Sequence, residues 1–232
     1  MTICRIPQTV SALLFDMDNT LYTNQEYVRF QLESPVRRLA EIKNTTFAEM
    51  QREIAEYRKT WAASNPQSGA PQAGAHGKAQ AQVSLGNIFL ALGIPIEETV
   101  RWREELYEPA QYLKRDPKLR DTLTALAASF SLAVVTNNPV LVARKTLAAL
   151  GVEDLFGVLV GLDTCGVSKP HKAPFLKAAE LLGAPPETCV SIGDRYDIDI
   201  ALPLELGMGG ILVDGVEDVY SLCSVQGALL NS

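Results

Sequence analysis

The sequence is short of cysteine and histidine, has no long apolar run and carries no basic block, and each shortage closes off a class of function. Of its 232 residues, four are cysteine. Cys4, Cys165, Cys189 and Cys223 make no CxxC pair and no zinc-like spacing, so they read as isolated reduced thiols. The two histidines are His76 and His171, and nothing pairs either with Ser or Cys as a catalytic triad. The N-terminal apolar stretch, Val10 to Phe15, is cut by Asp16, which fits neither a signal peptide nor a membrane span. A formal net charge of −6 and an isoelectric point of about 5.1 argue against a nucleic-acid surface. The missing Lys/Arg block argues against an anionic membrane partner. Aromatic residues make up 7% of the chain, and Trp61 and Trp102 fall where helix packing explains them better than base stacking. A soluble cytoplasmic protein with no nucleic-acid or membrane partner is expected.

What is present is an ordinary globular balance, 47% hydrophobic and 21% charged, in a chain long enough for one large domain or two modest ones. Five short apolar runs stand out: Ala12 to Phe15, Leu132 to Thr136, Val158 to Leu162, Cys189 to Ile192 and Gly210 to Val213. None alternates, which is how strands buried on both faces read. Helical patterns at Leu141 to Leu150, Ala173 to Leu182 and Ile198 to Leu206 lie between the last four runs, each followed by a glycine. Strands alternating with helices predict an α/β fold with a Rossmann-like parallel sheet.

The first strand is followed by about ninety residues without a convincing strand. Asn24 to Asn44 reads as helix, with Pro35 expected to bend or divide it. Thr46-Phe47-Ala48-Glu49 reads as a capping box opening a helix that runs to about Ala63, and Leu85 to Leu92 and Ile96 to Glu108 read as two more. Residues 1–22 and 111–232 are therefore expected to form the sheet-bearing core, and 23–110 an inserted α-helical domain. Inside the insertion, Ser64 to Gln82 is rich in Gly, Ala, Pro and Gln, and a flexible loop over 64–82 is expected.

Ligands of open parallel sheets bind at the carboxyl ends of the strands. After the first strand of "ALLFDMDNTLY" come Asp16 and Asp18; after the second, Thr136-Asn137-Asn138; after the third, Ser168-Lys169-Pro170; after the fourth, "GDRYDID", Gly193 to Asp199. Taken singly, Lys169 reads as a solvated side chain and Thr136-Asn137 reads equally well as a helix cap, whereas Asp16, Asp18 and Asp194 already favour a site over a capping turn. Their ordered co-occurrence on one rim reads differently. A carboxylate at a strand tip can attack phosphorus to form an aspartyl-phosphate, the role expected of Asp16. Asp18 can protonate the leaving oxygen and later deprotonate water. Paired acids need a hard cation, and Mg²⁺ with Asp194 as a further ligand suits oxygen donors. Lys169 supplies positive charge to the phosphoryl oxygens, and the Thr136 hydroxyl and following N–H groups can hydrogen-bond them. Of Asp197 and Asp199, one is expected behind the site and the other at the cap of the next helix.

In order and spacing, "DMDNT", Thr136-Asn137, Lys169-Pro170 and "GDRYDID" resemble the four motifs of the haloacid dehalogenase superfamily, and the resemblance covers residues 11–22 and about 113–214. It implies Asp16 as nucleophile and Mg²⁺ ligand, Asp18 as acid and base with its main-chain carbonyl on the metal, and Asp194 as the third protein ligand. It further implies Thr136 and Asn137 as phosphate binders, Lys169 as stabiliser of the phosphoryl group and of Asp16, and Asp199 as the supporting acid, with Asp197 the weaker candidate. The insertion resembles the helical cap of the superfamily's first cap class, which selects the substrate. Asp18 argues for phosphate chemistry, because the dehalogenases lack that second aspartate. "DNTLY", with Asn19 and Tyr22, and "YLKRDPKLRDTL" are similar to the pyrimidine 5′-nucleotidase-like and phosphoglycolate phosphatase-like branch. The resemblance thus implies Mg²⁺-dependent hydrolysis of a small phosphorylated metabolite: a nucleotide, flavin mononucleotide or a sugar phosphate. A phosphomutase of the β-phosphoglucomutase type and an inactive binding protein on the same scaffold are the alternatives. Nothing in the sequence fixes an oligomeric state.

Overall fold

The computed structural model describes residues 1–64 and 83–224. The chain divides into two units, one formed by Met1–Gln25 with Glu108–Ser232 and the other by Glu26–Tyr107.

The first unit is built on a six-stranded sheet. Its strands are β1 (Thr2–Arg5), β2 (Ala12–Phe15), β3 (Ser131–Val135), β4 (Val158–Val160), β5 (Cys189–Gly193) and β6 (Gly209–Leu212), in the spatial order β1-β6-β5-β2-β3-β4. All neighbours are parallel except β1 and β6. The five apolar runs are the five parallel strands. The sixth, β1, has all four residues exposed, so it left no buried pattern to read. The sheet is therefore mixed at one edge.

β2 sits at the centre and is fully buried. Ala12 and Leu14 face one side, where they pack with Ala133, Val135, Phe175 and Ala179. Phe15, one residue on and so on the other side, meets Phe156 edge to face, with centroids 6.0 Å apart. Phe175 and Ala179 come from the helix Lys172–Leu182, and Gly183 ends that helix in the left-handed conformation. Gly151 ends the helix Val140–Leu150 in the same way. The pattern read as one helix over 198–206 is instead a π-helical turn, Tyr196–Ile200, followed by a short helix, Ala201–Glu205. Such a turn takes in one extra residue and re-aims the side chains beyond it.

The second unit contains α1 (Gln25–Ile42), α2 (Phe47–Ser64), α3 (Leu85–Ala91) and α4 (Ile96–Leu106). Leu39, Met50, Ile54, Ile88, Phe89 and Trp102 form its core. The capping box is present: the Thr46 N–H donates to the Glu49 carboxylate at 2.9 Å, and the Glu49 N–H to the Thr46 hydroxyl at 3.2 Å. Pro35 does not divide α1, which runs unbroken around it. Proline has no N–H for the carbonyl four residues before it, that of Gln31. The buried Tyr107 hydroxyl donates to that carbonyl at 2.6 Å, so the missing helical bond is replaced from elsewhere in the unit. Ser64 closes α2, and the rest of the loop expected over 64–82 lies outside the described residues. Among the described residues no helix is long and apolar enough to cross a membrane.

Candidate active site

The parallel ladder fixes where the polar strand tips go. Phe15 pairs with Val134 on one side and Ile192 on the other, so Asp16 emerges between the tips of β3 and β5. The Asp16 N–H donates to the Ile192 carbonyl at 2.8 Å, and the Thr136 N–H to the Val160 carbonyl at 2.9 Å, which carries the ladder one residue beyond each strand.

Lys169 is the centre of the arrangement. Its side chain is 2% exposed, so the reading of a solvated lysine is wrong. The ammonium lies 2.7 Å from Asp16 Oδ1 and 2.6 Å from Asp199 Oδ1. Burial alone would lower its pKa, but the Asp16 and Asp199 charges outweigh burial and raise it, so it stays cationic. Asn137 holds the lysine by its backbone. Its Oδ1 accepts from the Lys169 N–H at 2.7 Å, and its Nδ2 donates to the Lys169 carbonyl at 3.3 Å. That carboxamide is thus turned toward the lysine main chain.

Asp199 reaches the site because of the π-helical turn. Its Oδ2 accepts from the Arg195 N–H at 3.2 Å, and its carbonyl accepts from the buried Ser191 hydroxyl at 2.7 Å. Gly193 makes room for it: a Cβ there would stand 2.5 Å from the Asp199 Cβ. Asp197 is directed elsewhere and pairs with the Arg195 guanidinium at 2.9 Å. Between the two aspartates, Asp199 is the one that joins Asp16.

Oxygens of Asp16, Asp194 and Asp199 all lie within 4.8 Å of one another. Burial first, then the Asp16 and Asp199 charges, push Asp194 up to about 8. Burial also raises Asp199, to about 6, against the opposing pull of Lys169. Once Asp194 gives up its proton, three carboxylates around one ammonium leave an excess of negative charge, and hard oxygen donors in that setting suit Mg²⁺. These residues could hold such an ion.

The Asp18 carboxylate is outside that cluster. It accepts from the Tyr22 hydroxyl and, at 2.8 Å, from Asn138 Nδ2. The Thr136 hydroxyl is buried and accepts from the Asn138 N–H at 3.1 Å. His171 caps the helix Lys172–Leu182, its Nδ1 accepting from the Ala173 N–H. Tyr22 and Asn138 carry no sequence signal of contact with Asp18. The one hint is the spacing of four between Asp18 and Tyr22. The Met17–Leu21 backbone turn makes that spacing a contact.

A family model described as a haloacid dehalogenase-like hydrolase matches residues 10–206. A phosphoglycolate phosphatase of Colwellia psychrerythraea is 43% identical over 72 residues, which is 31% of this chain and 32% of that protein. The chain thus spans about a third of that relative. A phosphoglycolate phosphatase of Salmonella typhi is 30% identical over 215 residues, 84% of this chain and 78% of that protein. The crystal structure of a phosphatase from Thermococcus onnurineus has the same fold, with a TM-score of 0.59 at 20% identity over 96% of this chain and 100% of that one.

Proposed function

We propose, from the premise that this chain belongs to the haloacid dehalogenase-like hydrolases, that it hydrolyses the phosphate monoester of a small cytoplasmic metabolite with the help of Mg²⁺. The observation that carries this reading is the buried Lys169 ammonium, 2.7 Å from Asp16, with Asp194 and Asp199 completing the carboxylate cluster.

Asp16 attacks phosphorus through a carboxylate oxygen. As that P–O bond forms, the bond to the leaving oxygen breaks and takes its proton from the Asp18 carboxyl. Water then attacks the aspartyl-phosphate, the P–O bond to Asp16 breaks, and Asp18 recovers a proton from the water. Lys169 orients Asp16 and offsets charge on the phosphoryl oxygens. The Thr136 hydroxyl and the main-chain N–H of Asn137 bind the phosphate, since the Asn137 carboxamide is engaged with Lys169. Asp199 holds Lys169, and Asp197 steadies Arg195. Asp16 and Asp194, with the Asp18 carbonyl, would hold Mg²⁺. When bound, the ion supplies charge neutralisation and polarisation of a phosphoryl oxygen. The helical unit Glu26–Tyr107 acts as the cap that selects the substrate.

The test is a panel of phosphorylated metabolites assayed with Mg²⁺ and with a chelator. The name of the Salmonella typhi relative makes phosphoglycolate one of the first esters to try. Release of inorganic phosphate from at least one ester, lost on chelation, is expected. No Mg²⁺-dependent release from any ester would overturn the reading.

Metal binding should also depend on pH. A carboxyl raised in the folded state stabilises the metal-free protein below its ordinary pKa, and that stability is lost as pH rises through the folded value. Asp194, pushed up to about 8, therefore weakens the metal-free protein most in alkaline solution, where Mg²⁺ no longer competes with a proton. At about pH 6 the apparent Mg²⁺ affinity should be roughly a hundredfold weaker than above pH 8. Thermal melts should show the Mg²⁺-dependent gain in Tm growing over that interval. A gain independent of pH would count against Asp194 as a ligand.

A further inference from the structure

We propose that Tyr22 and Asn138 are positioning residues that aim the Asp18 carboxyl for proton transfer. The inference rests on the proton role assigned to Asp18 above and goes beyond it, because neither residue belongs to the motif set that led to that role.

Both side chains are buried, Tyr22 at 4% exposure and Asn138 at 7%. They grip different oxygens: the Tyr22 hydroxyl meets Oδ1, and Asn138 Nδ2 meets Oδ2 at 2.8 Å. Each is itself fixed. Tyr22 lies beside Asp18 because the Leu21 N–H bonds the Met17 carbonyl at 2.9 Å and closes the turn between them. Asn138 is held at its N–H by the Thr136 hydroxyl and at its carbonyl by the Leu162 N–H, 3.0 Å away. Gly161 allows that approach, since a Cβ there would stand 2.7 Å from the Asn138 carbonyl oxygen.

The two partners differ in what they can do. An amide N–H only donates, so Asn138 keeps Oδ2 an acceptor whether or not Asp18 carries a proton. The exchangeable proton is then directed to Oδ1. The Tyr22 hydroxyl donates to Oδ1 along one lone-pair direction, which leaves a proton on that oxygen free to pass to the departing oxygen. Tyr22 can thus stay bonded to Asp18 through both half-reactions, while Asn138 prevents the carboxyl from turning over. A proton held on a known oxygen is worth most when the departing oxygen is strongly basic, and little when the leaving group departs unaided.

That difference supplies the test. kcat/KM is measured for an alkyl phosphate and for 4-nitrophenyl phosphate with the wild type, Tyr22→Phe, Asn138→Ala and Asp18→Asn. Tyr22→Phe and Asn138→Ala should each lose about 10- to 100-fold on the alkyl ester and only a few-fold on the nitrophenyl ester. Asp18→Asn should lose more, with the same skew. Equal losses on both esters in Tyr22→Phe and Asn138→Ala, beside a skewed Asp18→Asn, overturn the positioning role alone. An Asp18→Asn variant without skew overturns the proton role on which it rests. If Tyr22→Phe does not fold, Asn138→Ala decides by itself, because the two act on separate oxygens.

Discussion

Asp16→Asn is expected to cut turnover of every phosphate ester by about 10⁴-fold or more while leaving the protein folded. The amide oxygen is a poor nucleophile toward phosphorus and carries no charge to share with a metal. The same change should not harm stability. An Asn oxygen still accepts from the Lys169 ammonium, which sits 2.7 Å from Asp16 Oδ1. One negative charge also leaves a group of three carboxylates whose oxygens lie within 4.8 Å of one another, and the Asp16 charge is one of the causes that raise Asp194. Without Mg²⁺ the variant should therefore melt no lower than the wild type. Near-normal turnover would remove Asp16 from the role of nucleophile. A fall in Tm of several degrees would show that its charge is needed to hold Lys169 in place.

The second large effect concerns Lys169 itself. Lys169→Met keeps most of the side-chain volume and removes the only ammonium that bridges Asp16 and Asp199 among the described residues. Removing one partner of a buried ion cluster leaves uncompensated charge, a loss of about 3–5 kcal/mol. The sign of its pH dependence follows from Asp199, which Lys169 now pulls down against burial. Without that pull its folded pKa rises further above the ordinary carboxyl value. A group raised in this way contributes stability at low pH that disappears as pH climbs through the folded value. The variant should therefore be closest to the wild type in acid and fall furthest behind in alkali. Turnover should drop by about 10²- to 10³-fold through loss of charge stabilisation. Lys169→Met combined with Asp199→Asn should recover much of the stability and none of the turnover. Melting curves across pH and steady-state rates check both halves. A single variant as stable as the wild type at alkaline pH would mean that the cluster is already neutralised by protons.

Much of this site was legible because parallel strands buried on both faces announce themselves. Ala12–Phe15 is an unbroken apolar run and Cys189–Gly193 is interrupted only by Ser191, and the residues after them, Asp16 and Asp194, had to fall on one rim. The resemblance paired Lys169 with Asp16, but nothing in the residues themselves told of the lysine's burial. Its burial depends on carboxylates 153 and 30 residues away in sequence, and a lysine in a polar loop otherwise reads as solvated. That α1 continues through Pro35 was hidden for the same reason: the donor that replaces the lost bond comes from Tyr107, 76 residues from the carbonyl it serves. The exposed edge strand β1 was hidden because no face of it is buried. The π-helical turn at Tyr196–Ile200 was hidden because one added residue in a helical pattern leaves the apolar spacing nearly intact.

The central position of β2 also governs when the rim can exist at all. Ala12 pairs with Ser131 on one side and Cys189 on the other, so both neighbours are synthesised long after it. At ribosomal speeds of roughly 5–20 residues per second, the strand bearing the nucleophile waits on the order of ten seconds or more for its second partner. The stretch Glu26–Tyr107, by contrast, is contiguous and can collapse from nearby contacts as it emerges. Seating Ala12–Phe15 beside Cys189–Gly193 must close a far longer loop than any pairing within Glu26–Tyr107, and that closure carries the larger entropy cost.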